Sequence, residues 1–148
     1  MFRYAHTNII AKDCDKLIKF YKEVFHCTSI GETRDMRGEW LDKLTGIQSA
    51  HIKGEHLCMP GYDDKHPTLE IFSYDNITYR GNNAINTCGF VHIAFEVDDV
   101  EATLKLLLAA GGGQYGELVH SESTNGRIGT FVYTTDPEGN IVELQSWS

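Results

Sequence analysis

The sequence predicts an α+β fold made of two βαβββ modules, and three observations carry that expectation. The order strand, helix, strands occurs twice along 148 residues. The two halves end alike, Leu69-Glu70-Ile71-Phe72-Ser73-Tyr74 matching Val142-Glu143-Leu144-Gln145-Ser146-Trp147. One His and one Glu stand at equivalent places in each half: His6 with Glu70, and His92 with Glu143.

In the first half, residues 4–12 read as a strand and a helix follows from about 13 to 26. Leu17, Phe20, Tyr21 and Val24 recur at the i, i+3, i+4, i+7 spacing of one buried helical face. Asp13 is placed to cap that helix, its carboxylate accepting from free amides of the first turn. Strand-like segments follow near 28–34, 47–53, 55–59 and 68–74, parted by turns that carry Gly and Asp.

The second half repeats the order. Residues 90–97 form a strand, and Asp98 is expected to cap a helix over about 99–110. Val100, Leu104 and Leu107 mark its core face, and Gly111-Gly112-Gly113 ends it. Strands are expected near 116–120, 128–135 and 140–147, with Asp136-Pro137-Glu138-Gly139 as the turn between the last two. Module 1 therefore spans 1–75 and module 2 spans 90–148. The Asn- and Gly-rich stretch 76–89 joins them as a linker or flap.

Composition narrows the classes of function. Hydrophobic residues make up 41% and charged residues 23%, as in an ordinary globular protein that builds a core without disulfide staples. Cys14, Cys27, Cys58 and Cys88 are scattered with no C-x-x-C pair, so neither a zinc ribbon nor a disulfide framework is expected. A net charge of −8 without a Lys/Arg cluster argues against nucleic acid. No apolar run is long enough to span a membrane and no signal peptide is visible, so a cytoplasmic address and no membrane partner are expected.

The strand at 90–97 is the most informative segment. Val91, Ile93, Phe95 and Val97 alternate onto the face that packs on the helices, which leaves Phe90, His92, Ala94 and Glu96 on the other. His6 likewise shares a face with Tyr4, Asn8 and Ile10, Glu70 with Thr68, Phe72 and Tyr74, and Glu143 with Ile141, Gln145 and Trp147. An ionised carboxylate in a largely apolar strand needs a partner. Taken singly, each His is more often a hydrogen-bonded core residue than a ligand. The correspondence between halves points instead to one divalent-metal site made of His6, Glu70, His92 and Glu143. A donor set of His and Glu without thiolate suits Zn, Ni, Co, Mn or Fe as the divalent ion. His26, His51, His56, His66 and His120 have no such counterparts and read as surface or packing residues.

The chain resembles the vicinal oxygen chelate superfamily, which includes glyoxalase I, methylmalonyl-CoA epimerase, extradiol dioxygenases and fosfomycin or bleomycin resistance proteins. The marks are His6, Asp15-x-x-x-x-Phe20-Tyr21, Leu69-Glu70-Ile71, Val91-His92-Ile93-Ala94-Phe95, Val97-Asp98-Asp99-Val100, and Asp136-Pro137-Glu138-Gly139-Asn140-x-x-Glu143-Leu144. The resemblance implies one domain over 1–148, whose sheet curls around a metal. One ligand comes from the opening strand and one from the closing strand of each module: His6, Glu70, His92 and Glu143. It also implies a homodimer, with the site formed either within one chain or across the interface.

Within that family, two modules and a fourth protein ligand look like glyoxalase I or the epimerase and unlike a ring-cleaving dioxygenase. The expected chemistry moves a proton α to a carbonyl held on the ion, which stabilises the developing enolate charge. By resemblance Glu143 is the main base and Glu70 the second proton carrier. Glyoxalase I-like proteins carry a basic residue soon after the first metal His; here Thr7, Asn8, Ile9 and Ile10 follow. Arg127 is then the local candidate for an anionic group, and Phe72, Tyr74, Phe90 and Trp147 are candidates for an apolar pocket. The leading expectation is a metal-dependent lyase or isomerase of lactoylglutathione lyase type acting on a small carbonyl or thioester substrate. An epimerase with the same proton chemistry comes second, and a non-catalytic small-molecule binding protein third.

Overall fold

A computed structural model describes residues 1–63, 67–79, 81 and 84–148. The chain divides into two compact units, Met1–Tyr79 and Arg80–Ser148. Each holds a mixed sheet with helix against it, so the α+β class stands, with the expected modules as separate sheets of four and five strands.

Unit 1 runs β1 (His6–Ile10), α1 (Cys14–Phe25), β2 (Thr28–Arg37), α2 (Glu39–Thr45), β3 (His51–Cys58) and β4 (Thr68–Tyr74). The sheet order is β1-β4-β3-β2, with β1 parallel to β4 and the other pairs antiparallel. α1 begins as expected: the Asp13 carboxylate accepts from the Lys16 amide at 3.0 Å. Leu17, Phe20, Tyr21 and Val24 are all buried, joined by Ile18 and Phe25. They face β3 and β4, where Leu57, Leu69 and Ile71 are fully enclosed. Burying each such side chain contributes about 1.5–3 kcal/mol, which makes this the anchor of the unit.

The sequence reading departs from the structure in the middle of unit 1. The segments expected at 47–53 and 55–59 are one strand, β3, and α2 was not anticipated. A helix of seven residues with Leu41 as its one buried side chain leaves no periodic signal. Positive φ at Gly38 and Gly46 brackets it, and the Asp42 carboxylate fixes the following turn by accepting from the amides of Ser49 and Ala50, each at 2.8 Å. Gly54 broke the strand pattern because it sits mid-strand at φ +148, where a Cβ would lie 1.9 Å from the Ile71 carbonyl oxygen and 2.7 Å from the Phe72 ring. Its lack of a side chain lets Phe72 join Leu41, Ala50 and Ile52 in a second small core, with Met36 and Tyr74 packed on it.

Unit 2 runs β5 (His92–Glu96), α3 (Val100–Ala109), β6 (Gly113–Gln114), β7 (Val119–Glu122), β8 (Ile128–Thr135) and β9 (Ile141–Trp147). Its order is β5-β9-β8-β6, with β7 also on β8, and β5 again parallel to β9. Phe95 is buried while His92, Ala94 and Glu96 are exposed, as the alternation requires. The helix cap is Asp99 and not Asp98: its carboxylate accepts from the Ala102 amide at 2.9 Å, the spacing that an N-cap needs. Val100 and Leu107 are buried, Leu104 half-buried, and Gly111 turns away from the helix at φ +95. The strand expected at 116–120 lies at 119–122, after a short pairing at 113–114. The Asp136 turn holds as read. Its buried carboxylate accepts from the amides of Glu138 and Asn140 and from the Asn140 side chain, at 2.9–3.0 Å.

Contacts are made beside and within the 76–89 stretch. Asp75 is bound to His51, and the Ile85 amide donates to the Tyr115 hydroxyl at 3.1 Å. His66 lies outside the described residues. Cys14, Cys27, Cys58 and Cys88 are all free thiols, and burial pushes the Cys27 thiol up to about 12, so it stays protonated. Among the described residues no helix is long and apolar enough to cross a membrane.

His51 links three segments of unit 1. Its Nδ1 meets Asp75 and its Nε2 meets Asp35, both at 2.7 Å, with the Arg37 guanidinium beside it. Asp75 and then Asp35 hold the imidazolium above its ordinary range, while His51 holds the Asp35 carboxyl below its own. The raised His51 value contributes stability that is full below about pH 6.5 and is lost as pH rises through the folded value. The depressed Asp35 value contributes above about pH 3.9 and is lost as pH falls through its folded value. Urea midpoints measured from about pH 5 to 9 should therefore separate wild type from His51→Gln most at the acidic end. That gap should close as pH rises. Gly54→Ala should cost more than about 3 kcal/mol in the same measurement.

Candidate metal centre

In unit 1 the parallel register sets His6 opposite Thr68 and Asn8 opposite Glu70. In unit 2 it sets His92 opposite Ile141 and Ala94 opposite Glu143. Each Glu thus stands two residues beyond the partner of its His. Because side chains alternate along a strand, both share the face away from the helix. His6 Nε2 is 3.4 Å from Glu70 Oε2, and His92 Nε2 is 3.1 Å from Glu143 Oε2. The Glu side chains are mostly covered, at 12% and 18% exposed, and the His side chains more open, at 47% and 32%.

These separations suit a shared ion. A metal that binds a nitrogen and an oxygen at about 2.1 Å each, with cis or tetrahedral angles, holds the two donors about 3.0–3.4 Å apart. Neutral imidazole and carboxylate without sulfur suit a borderline divalent ion. Among the described residues no group of three or more His, Cys, Asp or Glu is placed to hold an ion by itself, and each unit presents one His–Glu pair.

The surroundings of the two carboxylates differ. His56 stands directly opposite Glu70 in the antiparallel β3–β4 register, with its Nε2 3.2 Å from Glu70 Oε1. The Asn8 side-chain amide donates to Glu70 Oε2 at 3.3 Å. In unit 2 the place opposite Glu143 belongs to Tyr133, whose ring meets the His92 ring edge-on at 5.2 Å. His56 was expected to be an unpaired surface or packing residue; the structure corrects this by pairing it with Glu70. The signal lay in the β3–β4 register, hidden by the break that Gly54 made in the apparent strand. Burial pushes the His56 imidazole down, and Arg34 and His6 add to this while Glu70 opposes, so it is neutral near pH 7.

The expected pocket residues fall into separate places. Phe72 is buried in the α2 core with its ring 5.5 Å from that of His56, and Tyr74 packs on the same core. Phe90 is fully exposed just before β5. Arg127 and Trp147 meet: the guanidinium lies 5.4 Å from the indole centre, and Trp147 packs edge-on against Phe131 at 5.1 Å. Phe131 had no mark in the sequence beyond strand alternation.

A family model for the Glyoxalase/Bleomycin resistance protein/Dioxygenase superfamily matches residues 3–144. The chain belongs to this superfamily. The resemblance to vicinal oxygen chelate proteins is thereby borne out. Two relatives, each a probable lactoylglutathione lyase, come from Vibrio parahaemolyticus and Vibrio cholerae. The first is 28% identical over 144 residues, covering 96% of this chain and 88% of the relative. The second is 26% identical over 147 residues with the same coverage. A glyoxalase family protein from Bacillus cereus shares the fold at a TM-score of 0.84 and 21% identity, over 99% of this chain and 95% of that one. A fosfomycin resistance protein from Listeria monocytogenes, complexed with Mn(II) and sulfate, is more distant in shape. It matches at a TM-score of 0.59 and 18% identity, over 99% and 93%.

A double-mutant cycle of Arg127→Gln and Trp147→Leu in urea denaturation should give a coupling of about 0.5–1 kcal/mol. A coupling of zero would mean the guanidinium is solvated and free for other partners.

Proposed function

We propose that the protein is a divalent-metal-dependent lyase or isomerase of lactoylglutathione lyase type. Its ligands on this reading are His6, Glu70, His92 and Glu143, and its substrate is a small α-carbonyl compound. The observation that carries the reading is the His–Glu pair repeated at the same register, with donor separations within each pair that suit a bound ion. The names of the two Vibrio relatives point the same way.

When bound, the ion would polarise a substrate carbonyl and so acidify the adjacent C–H, an effect worth several kcal/mol of barrier. The rest falls to this chain's own groups. Glu143, with one imidazole against it, takes the α-proton on a carboxylate oxygen and returns it to the neighbouring carbon. Glu70 is the second proton carrier. A well-placed general base contributes about 10²–10⁴-fold. Arg127 and Trp147 offer a cation and an apolar ring for the remainder of the substrate. A homodimer in the cytoplasm completes the reading.

Stripping the protein with a chelator should abolish turnover of the hemithioacetal of methylglyoxal and glutathione, and one divalent ion per four-ligand set should restore it. His6→Ala and His92→Ala should lose both metal and activity. Glu143→Gln should keep most of the metal and lose about 10²–10⁴ in kcat. In deuterated solvent the product should carry deuterium at the former carbonyl carbon to the extent that the proton held on Glu143 exchanges with solvent before it is delivered. Activity on methylmalonyl-CoA instead would move the assignment to an epimerase. Absence of stoichiometric metal would end the metal reading.

A further inference from the structure

The two carboxylates of the proposed centre are held unequally, and the difference lies in one side chain. Both oxygens of Glu70 have partners: His56 Nε2 at 3.2 Å on Oε1, with Asn8 Nδ2 at 3.3 Å and His6 Nε2 at 3.4 Å on Oε2. Among the described residues Glu143 meets His92 alone, through Oε2. At the position matching His56, unit 2 has Tyr133, which packs on His92 and leaves the carboxylate alone. His56 is itself braced, since its ring rests against Phe72, which is locked in the small core under α2.

We propose that His56 is a positioning residue: by holding Oε1 of Glu70 it presents Oε2 beside His6 Nε2 as a ready-made pair of metal donors. The inference rests on the metal reading above and adds to it a residue that makes no contact with the ion. Its physical basis is the torsion of the carboxylate. A glutamate head rotates freely about its last bond, and an ion must otherwise order it on binding. With Oε1 tethered across the strand pair, that ordering is already present before the ion arrives. Outer partners of this kind typically change metal affinity by about 10–100-fold.

The test is a titration of chelator-stripped protein with cobalt(II) alone, reading the visible d–d absorption and the dissociation constant by competition with a chelator. His56→Leu should weaken cobalt binding by about 10–100-fold and perturb the d–d bands. His56→Gln, whose side-chain amide can donate from nearly the same place as Nε2, should return affinity to within roughly threefold of wild type and restore the wild-type bands. Urea midpoints of both apo variants show whether they fold. Folded His56→Leu with wild-type cobalt affinity would overturn this inference and leave the metal reading intact. If His56→Gln stays as weak as His56→Leu, with bands shifted alike, His56 is a ligand and the positioning role is wrong. Failure of the wild-type protein to bind cobalt would overturn both readings at once.

Discussion

In each unit the first strand lies parallel to the last, and the position of every candidate site residue depends on the register of that pair. Parallel neighbours cannot be joined by a tight turn, so the chain must leave the sheet, cross it and return. The crossing in unit 1 carries α1, α2 and two further strands, and in unit 2 α3 and three strands. The return brings together side chains from opposite ends of a unit. Which side chains meet is then a matter of single-residue register, because a slip of one would turn His6 or His92 toward the helix. What holds the register is burial on the other face. Leu69 and Ile71 in β4, and Val142 and Leu144 in β9, are all fully enclosed. Moving either strand by one residue would expose those pairs and bury Glu70 or Glu143, an exchange that costs several kcal/mol on both counts. The hydrophobic layer therefore specifies the polar one.

The two units share this frame and differ in how it is furnished. Unit 1 has a second small core on the site-bearing face, made possible by Gly54 and closed by α2. That core supports Phe72, Phe72 supports His56, and His56 meets Glu70. Among the described residues unit 2 has no such helix. Its corresponding strand carries Tyr133 and Phe131, which pack against His92 and Trp147, and Arg127 lies over the indole. One half is thus built to hold its carboxylate still, while the other leaves it a single contact beside an aromatic surface. On the proposed reading this division is useful. A base that must move a proton needs freedom, and a ligand that must keep an ion in place does not.

Much of the polar organisation elsewhere is structural. The Asp136 carboxylate, in the most specific of the sequence marks, spends its hydrogen bonds on its own turn. His51 is a clamp between Asp35 and Asp75, and Asp42 is the brace for the loop after α2. These groups fix turns and strand ends in the two sheets.

By itself the sequence determined the duplicated α+β plan, the helix faces around Leu17, Tyr21, Val100 and Leu107, and the alternation that turns His92 away from the core. These are local patterns, set by periodicities of two and 3.6 that need no knowledge of distant partners. It also marked the two His and two Glu, because duplication allows one half to be compared with the other. Only the tertiary structure decided the rest. The cap at Asp99 depends on where the first turn of α3 closes. The joining of β3 across Gly54 depends on the approach of Ile71 from a neighbouring strand. The partnership of His56 with Glu70, and of Arg127 with Trp147, depends on cross-strand register, a long-range quantity that no window of sequence contains.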